Sequence, residues 1–272
     1  MNSASYEARK EKYKHKLENL TMMSDILARN VMKDKDCCEH VLRIIMEDRK
    51  IEVIENNIQA DYKNLYGRSV ILDCVIKTSD EKVVDVEIQQ ENEGANPKRA
   101  RYHLGLMDMN SLEAGDDFSQ LPEAYIIFIT KNDVLRYDLP IAHVGRIIFE
   151  NGKAFKDGSH FIYVDSSKEN DTELGRLMHD FRCKTVSEMK SQVLADKVRE
   201  LKETEKGIEH MCREMEEIRA EGLAEGRAEG REEGRLEEKR EISKGLFNDG
   251  MPVAKIAVLL KIDQETVQDW IS

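Results

Sequence analysis

The residues with the chemistry to build a site lie in two neighbouring segments, SVILDCVIK (69–77) and KVVDVEIQQ (82–90). In the first, alternation puts Val70, Leu72, Cys74 and Ile76 on one face and Ser69, Ile71, Asp73, Val75 and Lys77 on the other. Asp73 interrupts an apolar stretch, where a carboxylate costs stability unless it is paired, hydrogen-bonded or bound to a metal. In the second segment Val84, Val86 and Ile88 share one face, and Asp85, Glu87 and Gln89 share the other. The turn-rich TSDEK between the segments predicts a hairpin. Asp73 and Glu87 then share a face only if their register sum is even, which requires a loop with an odd number of residues or a bulge. Directly opposed residues have Cβ atoms about 5 Å apart. Two carboxylates that close repel unless a proton or a divalent cation lies between them. Oxygen ligands of this kind suit Mg²⁺, with Mn²⁺ as the alternative. The competing reading is a structural pair neutralised by the cations Arg99 and Arg101 of the next segment.

Other elements must position this hairpin. SDILARNVMKD predicts a helix beginning near Ser24, and DCCEHVLRIIMEDR another, with Val41, Leu42, Ile45 and Met46 at helical spacing. After the hairpin, PKRARYHLGLMDMNSLEAG predicts a helix with Pro97 near its start and Gly115 at its end. Tyr125–Ile129 is a continuous apolar run, the mark of a strand covered on both faces. Weaker strand signals follow at 146–150 (RIIFE) and 160–165 (HFIYVD), then a helical segment over 171–183. Helix, hairpin, helix and apolar strand imply an α/β protein with a mixed sheet. The chain divides by character into a charged lead-in (1–20), a core domain (21–185), a charged segment (186–240) and a small helical tail (241–272). In the charged segment, AEGLAEGRAEGREEGR repeats every four residues, so its glycines form a stripe that advances by about 40° per repeat on a helix. Glycine costs about 1 kcal/mol against alanine in a helix, so this segment is either a solvated, partly helical linker or a helix held by a second copy of the chain. In the tail, Pro252 starts one short helix and Asp263 caps another, a helix-turn-helix-like pattern with little cationic surface.

The chain has 272 residues, 35% of them charged, and a net charge of −12. That charge argues against a protein that coats nucleic acid through general basicity, but not against a local grip by a few cations. The five cysteines, Cys37, Cys38, Cys74, Cys183 and Cys212, are odd in number and form no CxxC; Cys37, Cys38 and His40 fit no zinc spacing. With no apolar leader and no run near the roughly 20 residues of a membrane span, the expectation is a cytoplasmic protein with reduced thiols and no membrane partner.

The order Asp73, hairpin, Glu87-x-Gln89 resembles the PD-(D/E)XK nuclease superfamily. LDCVIKTSDEKVVDVEIQ, then PKRARYHLGLMD, then LEAGDDFSQLPEAYIIFI, with an EGR-rich tail, narrows the resemblance to the Rpn family of recombination-promoting nucleases and transposases, over roughly residues 20–180 and loosely the tail. The resemblance implies a restriction-endonuclease-like αβββαβ core with a long charged helical C-terminal extension. It also implies Mg²⁺-dependent endonucleolytic hydrolysis of DNA phosphodiesters in recombination or transposition. On this sequence Asp73 and Glu87 would hold the metal, and Asp73, Glu87 and Gln89 would form the catalytic set. Gln89 stands where the superfamily places Lys; it can orient water or phosphate through hydrogen bonds but carries no charge. Leu72 stands where the motif name has Pro. Arg99, Arg101 and Tyr102, early in the next helix, are the DNA-contact candidates, and Glu39 is the candidate acid from the first helix. Asp85 has no place in the motif and reads as peripheral. Two other functions stay open: a DNA-binding protein of the same fold that cuts weakly, and a self-assembling protein whose core is a structural remnant.

Overall fold

A computed structural model describes residues 3–64, 67–90 and 92–272. The first two residues of the lead-in lie outside the described residues. The chain forms two compact units, Met1–Cys212 and Arg213–Ser272.

The first unit is built on a six-stranded mixed sheet. Its strands are β1 (Val53–Tyr62), β2 (Val70–Thr78), β3 (Val83–Gln89), β4 (Ala124–Thr130), β5 (Ile141–Val144) and β6 (Ser159–Asp165), in the spatial order β1-β2-β3-β4-β6-β5. The strands β1, β2 and β3 are antiparallel, β3, β4 and β6 are parallel, and β5 returns antiparallel at the far edge. The strand β4, AYIIFIT, lies between two parallel neighbours, and Ile126, Ile127, Phe128 and Ile129 are fully buried, which is why its apolar run has no alternation.

Helices cover both faces. On one lies α4 (Pro97–Met109), whose Ala100, Leu104 and Met107 pack on Val75, Ile126, Phe128 and Tyr163. Asn96 caps it, accepting from Lys98 N at 2.8 Å, and Pro97 holds the first turn. The other face is covered by α2 (Asp25–Met32) and α3 (Lys35–Ile45). Asn56 of β1 fastens them, donating to Met32 O at 2.7 Å. Against α3 lie α5 (Glu173–Arg182) and α6 (Gln192–Glu203). The buried Asp180 of α5 accepts from Lys190 N and Ser191 N at 2.6 and 2.7 Å, which fixes the entry to α6.

Several sequence expectations change. The charged lead-in is a helix, α1 (Ser3–Asn19), anchored by the buried side chains of Tyr13 and Leu17 one turn apart. The helix after the hairpin ends at Met109, not at Gly115, which turns the following loop at φ +104°. RIIFE is not a strand: Ile147 makes one isolated bridge to Ala154, and Phe149 is 89% exposed. The far sheet edge is taken instead by β5, through its register with β6.

The second unit contains most of α7 (Glu205–Asn248), then α8 (Val253–Leu260) and α9 (Gln264–Ile271). Ile256, Ala257 and Val267 form its small core. The turn between α8 and α9 has Lys261 at φ +53°, and Asp263 caps α9 by accepting from Thr266 N at 2.7 Å. Among the described residues, no helix is long and apolar enough to cross a membrane.

Candidate active site

The hairpin register decides where the carboxylates go. Lys77 faces Val83 and Cys74 faces Val86, so the register sum is even and the loop holds the five residues 78–82. The next opposed pair is Asp73 and Glu87, and here main-chain pairing gives way to side chains. Asp73 N donates to Glu87 Oε1 at 2.9 Å, and Ile88 N donates to Asp73 Oδ2 at 3.1 Å. Each carboxylate satisfies the backbone of the opposing strand, so both are held where the two strands open.

The strand itself does not keep one alternation through this point. Val70 and Leu72 enter the same apolar cluster as Val75, beneath α4, whereas Cys74 lies against Cys38 of α3. A continuous pleat cannot place both Leu72 and Val75 on one face. The break falls at Asp73. In β1, Ala60 pairs with Leu72 and Ile58 with Cys74, which leaves Gln59 opposite Asp73. Gln59 has φ +53°, the left-handed region that a non-glycine residue rarely occupies. Both strands switch faces together, so the register survives while Asp73 leaves the ordinary pleat. Strained backbone of this kind, costing on the order of 1–3 kcal/mol, clusters at functional sites.

Glu87 is fully buried, while Asp73 is partly exposed. Asp73 and Gln89 line an open cleft with Met23, Asp25, Ile88 and Gln90. Gln89 Nε2 donates to Glu87 Oε2 at 3.1 Å. Gly94 leaves room for that amide: a Cβ there would sit 2.0 Å from Gln89 Oε1. Gly94→Ala is therefore expected to displace Gln89 and to lower by about 10²-fold any reaction that its amide serves, since small misplacements at a reacting centre carry penalties of that size. Turnover alongside circular dichroism checks this; an unchanged rate in a folded variant would mean that Gln89 has no part in the chemistry.

Behind the cleft lies a second layer. Asp85, expected to be peripheral, is fully buried, and its Oδ2 lies 3.1 Å from His103 Nδ1 of α4. Ligand atoms of Asp85, Glu87 and His103 all lie within 4.8 Å of one another. Arg99, one turn before His103, places Nη2 at 3.0 Å from Glu87 Oε2. By type alone His103 gives no signal, because a lone histidine on a helix reads as core. The legible signal is the pair of spacings: Arg99 and His103 four apart on a helix, and Asp85 and Glu87 two apart on a strand.

Burial, with the charges of Asp85 and Asp73 beside it, pushes the Glu87 carboxyl up to about 8. Burial raises Asp85 well above the usual carboxylate range and raises Asp73 as well, and it holds His103 below the usual imidazole value. This is a set of acids short of positive charge. Among the described residues, Asp85 Oδ1 is buried without a hydrogen-bond partner. Carboxylates that favour the protonated state unless a cation joins them fit a divalent metal, and Asp73 and Asp25 give it a solvent-facing approach.

The remaining expected site residues lie elsewhere. Arg101 and Tyr102 are exposed and line a separate shallow groove with Asn64, Lys98 and Met109. Glu39 is engaged away from the hairpin end, with Oε2 at 2.7 Å from Arg43 Nη2 and Oε1 accepting from Val53 N at 2.9 Å. The acid that the helices bring to the cleft is Asp25, at the start of α2. His179, Asp180 and Cys183 also cluster, but His179 bonds Glu169 and Glu188 O while Asp180 caps α6.

No curated protein and no solved structure matches the chain significantly. A family model described as PD-(D/E)XK nuclease family transposase matches residues 9–245, a span that includes the hairpin, the cleft and α4. The mixed sheet and the even register of its carboxylate strands accord with that match, and the chain belongs to the family of PD-(D/E)XK nuclease transposases.

Proposed function

We propose that the protein is a divalent-metal-dependent DNA endonuclease that hydrolyses phosphodiester bonds in recombination or transposition. The observation that carries this reading is the opening of the β2–β3 ladder, where Asp73 and Glu87 bond each other's strands: Asp73 lines a cleft with Asp25 and Gln89, and Glu87 lies buried behind it on Gln89. Mg²⁺ or Mn²⁺ held by Asp73 and Glu87 would supply an activated water and charge neutralisation at the phosphate. Glu87 is fixed from three sides, by Asp73 N, Gln89 and Arg99. Gln89 directs its amide from the cleft wall, where it can orient a water or a phosphate oxygen. Asp25, at the start of α2, adds a second carboxylate to the cleft lining.

The test is nicking of supercoiled plasmid by purified protein with Mg²⁺ or Mn²⁺, beside Asp73→Ala. The wild type is expected to nick only with metal, and the variant to lose about 10³-fold or more, the scale of removing a metal ligand or a preorganised charge. Equal nicking by both proteins would mark a contaminant and end the assignment. Metal-dependent DNA binding without nicking would favour the weakly cutting DNA-binding protein.

A further inference from the structure

Gln89 leaves the cleft without the cation expected beside its carboxylates. The structure places another cation on the same oxygen. Glu87 Oε2 accepts from Gln89 Nε2 at 3.1 Å and from Arg99 Nη2 at 3.0 Å. All three nitrogens of Arg99 are engaged, since Nη1 donates to Gly94 O at 3.0 Å and Nε meets His103 Nε2 at 3.1 Å. The side chain as a whole is 39% exposed while its guanidinium is held at every nitrogen.

The contact to His103 determines the state of the ring. A guanidinium keeps its protons under all ordinary conditions, so Arg99 Nε donates and His103 Nε2 must accept. The proton of the neutral ring is then on Nδ1, which donates to Asp85 Oδ2 at 3.1 Å. A doubly protonated ring would set an N–H against the Arg99 N–H. Asp85 thus fixes the tautomer of His103, and that tautomer fixes Arg99. The imidazole is fully buried and tilted against Phe128 at a centroid distance of 6.1 Å, which limits its rotation. A carboxylate that sets a histidine tautomer behind a working group is a familiar positioning device.

We infer that Arg99 is the fixed cation of this site, supplying at the phosphate the charge that Gln89 cannot, and that Asp85 and His103 are its positioning residues. The inference rests on the nuclease reading above and adds to it the source of positive charge. A rigid guanidinium stabilises the charge that develops on a phosphate without reorganising, and its two-pronged geometry matches phosphate oxygens. Its hold on Glu87 Oε2, the oxygen that Gln89 also holds, keeps it beside Gln89 at the edge of the cleft.

The experiment uses the full chain. In metal-free protein with ¹⁵N-labelled histidine, His103 is expected to show a protonated Nδ1 and a bare Nε2, and Asp85→Asn or Arg99→Ala is expected to disturb that pattern. A His103 that carries its proton on Nε2 in the wild type overturns the inference, whatever the activity. In the nicking assay, Arg99→Ala is expected to lower kcat by about 10²–10³-fold with a smaller change in KM, the scale of losing one preorganised donor. Added guanidinium chloride is expected to restore part of that kcat, but none in Asp73→Ala. Arg99→Lys keeps the charge without the fork, so it guards against a misfolded alanine variant; a loss of about tenfold is expected. His103→Ala is expected to fall by about tenfold or more, and His103→Gln, which can accept from Arg99 and donate to Asp85, to recover most of it. Wild-type kcat in Arg99→Ala or Arg99→Lys, or absence of guanidinium rescue, overturns the inference while leaving the nuclease reading standing. A wild type that does not nick with any metal overturns the nuclease reading itself.

Discussion

Replacing Glu87 by glutamine is expected to abolish metal-dependent cleavage and yet make the metal-free protein more stable at alkaline pH. The loss of cleavage, about 10³-fold or more, follows from removing a carboxylate from the proposed metal set. The gain follows from linkage. The Glu87 carboxyl titrates near 8 in the folded protein, above its ordinary value of 4.5, because burial and the neighbouring Asp85 and Asp73 oppose its charge. A raised acid pKa means that the folded state holds the proton longer than the unfolded state. Stability therefore declines as pH rises from about 4.5 towards 8 and levels off above that. Glutamine carries no such slope. Its amide oxygen can take the place of Oε2 and accept from both Gln89 and Arg99, but its NH2 then faces Asp73 N where Oε1 accepted, so part of the gain is offset. The expected net gain is on the order of 2 kcal/mol at pH 9, or about 4–8 °C in melting temperature. Near pH 5 the two proteins should be equal, or the variant slightly weaker. Thermal melts in a chelator at the two pH values measure this. Adding Mg²⁺ or Mn²⁺ should raise the wild-type melting point at pH 8 and above and leave the variant unmoved. A variant less stable than the wild type at both pH values would mean that Arg99 holds Glu87 as a settled ion pair, with no deficit for a metal to fill.

Much of this site was legible because two different periods met at it. The hairpin followed from strict alternation on either side of a turn, and the odd loop of residues 78–82 converted that alternation into a shared side for Asp73 and Glu87. The central strand was legible from its unbroken apolar run, and the start of α4 from Pro97; the cap by Asn96 was not. The unread parts depend on tertiary neighbours. The edge strand β1 reads VIENNIQADY, polar along one face, interrupted by Asn56 on the other and rich in residues that disfavour strands, so its pairing with β2 is what makes it a strand. The face switch at Asp73 is invisible to alternation, because Gln59, the residue that accommodates it, lies fourteen positions away. Fourteen residues also separate Asp73 from Glu87, and there the turn supplied the link that β1 lacked. His103 stayed hidden for a related reason. Its two partners, Arg99 and Asp85, lie on elements of different period, and only the packing of α4 on β3 brings them together.

Replacing Gly222, Gly226, Gly230 and Gly234 together by alanine is expected to stabilise α7 by about 4 kcal/mol, roughly 1 kcal/mol per position. Apart from the helix's own nearby backbone, no heavy atom lies within 4 Å of a Cβ built at any of these four glycines, and none has a positive φ. The methyls therefore enter open space and remove backbone freedom from the unfolded chain. Gly207 is the internal control, because a Cβ there would meet Glu200 O at 1.9 Å; Gly207→Ala should destabilise where the other four stabilise. Helical ellipticity during thermal unfolding separates the cases. The same variant decides between the two readings of the repeat. A solvated helix gains helicity and keeps its sedimentation coefficient. A helix gripped along its glycine stripe by a second copy would lose close approach, and both its mass in solution and its melting point would fall. The matching truncation belongs after Cys212, where the first compact unit ends, because a cut near Asp196 would remove Leu201 and Met211 from that unit's core. Identical sedimentation behaviour of the full chain and the 1–212 fragment, after allowing for mass, would leave the charged repeat as a solvated arm, because four glycines facing open space give a partner helix nothing to hold unless it approaches closely.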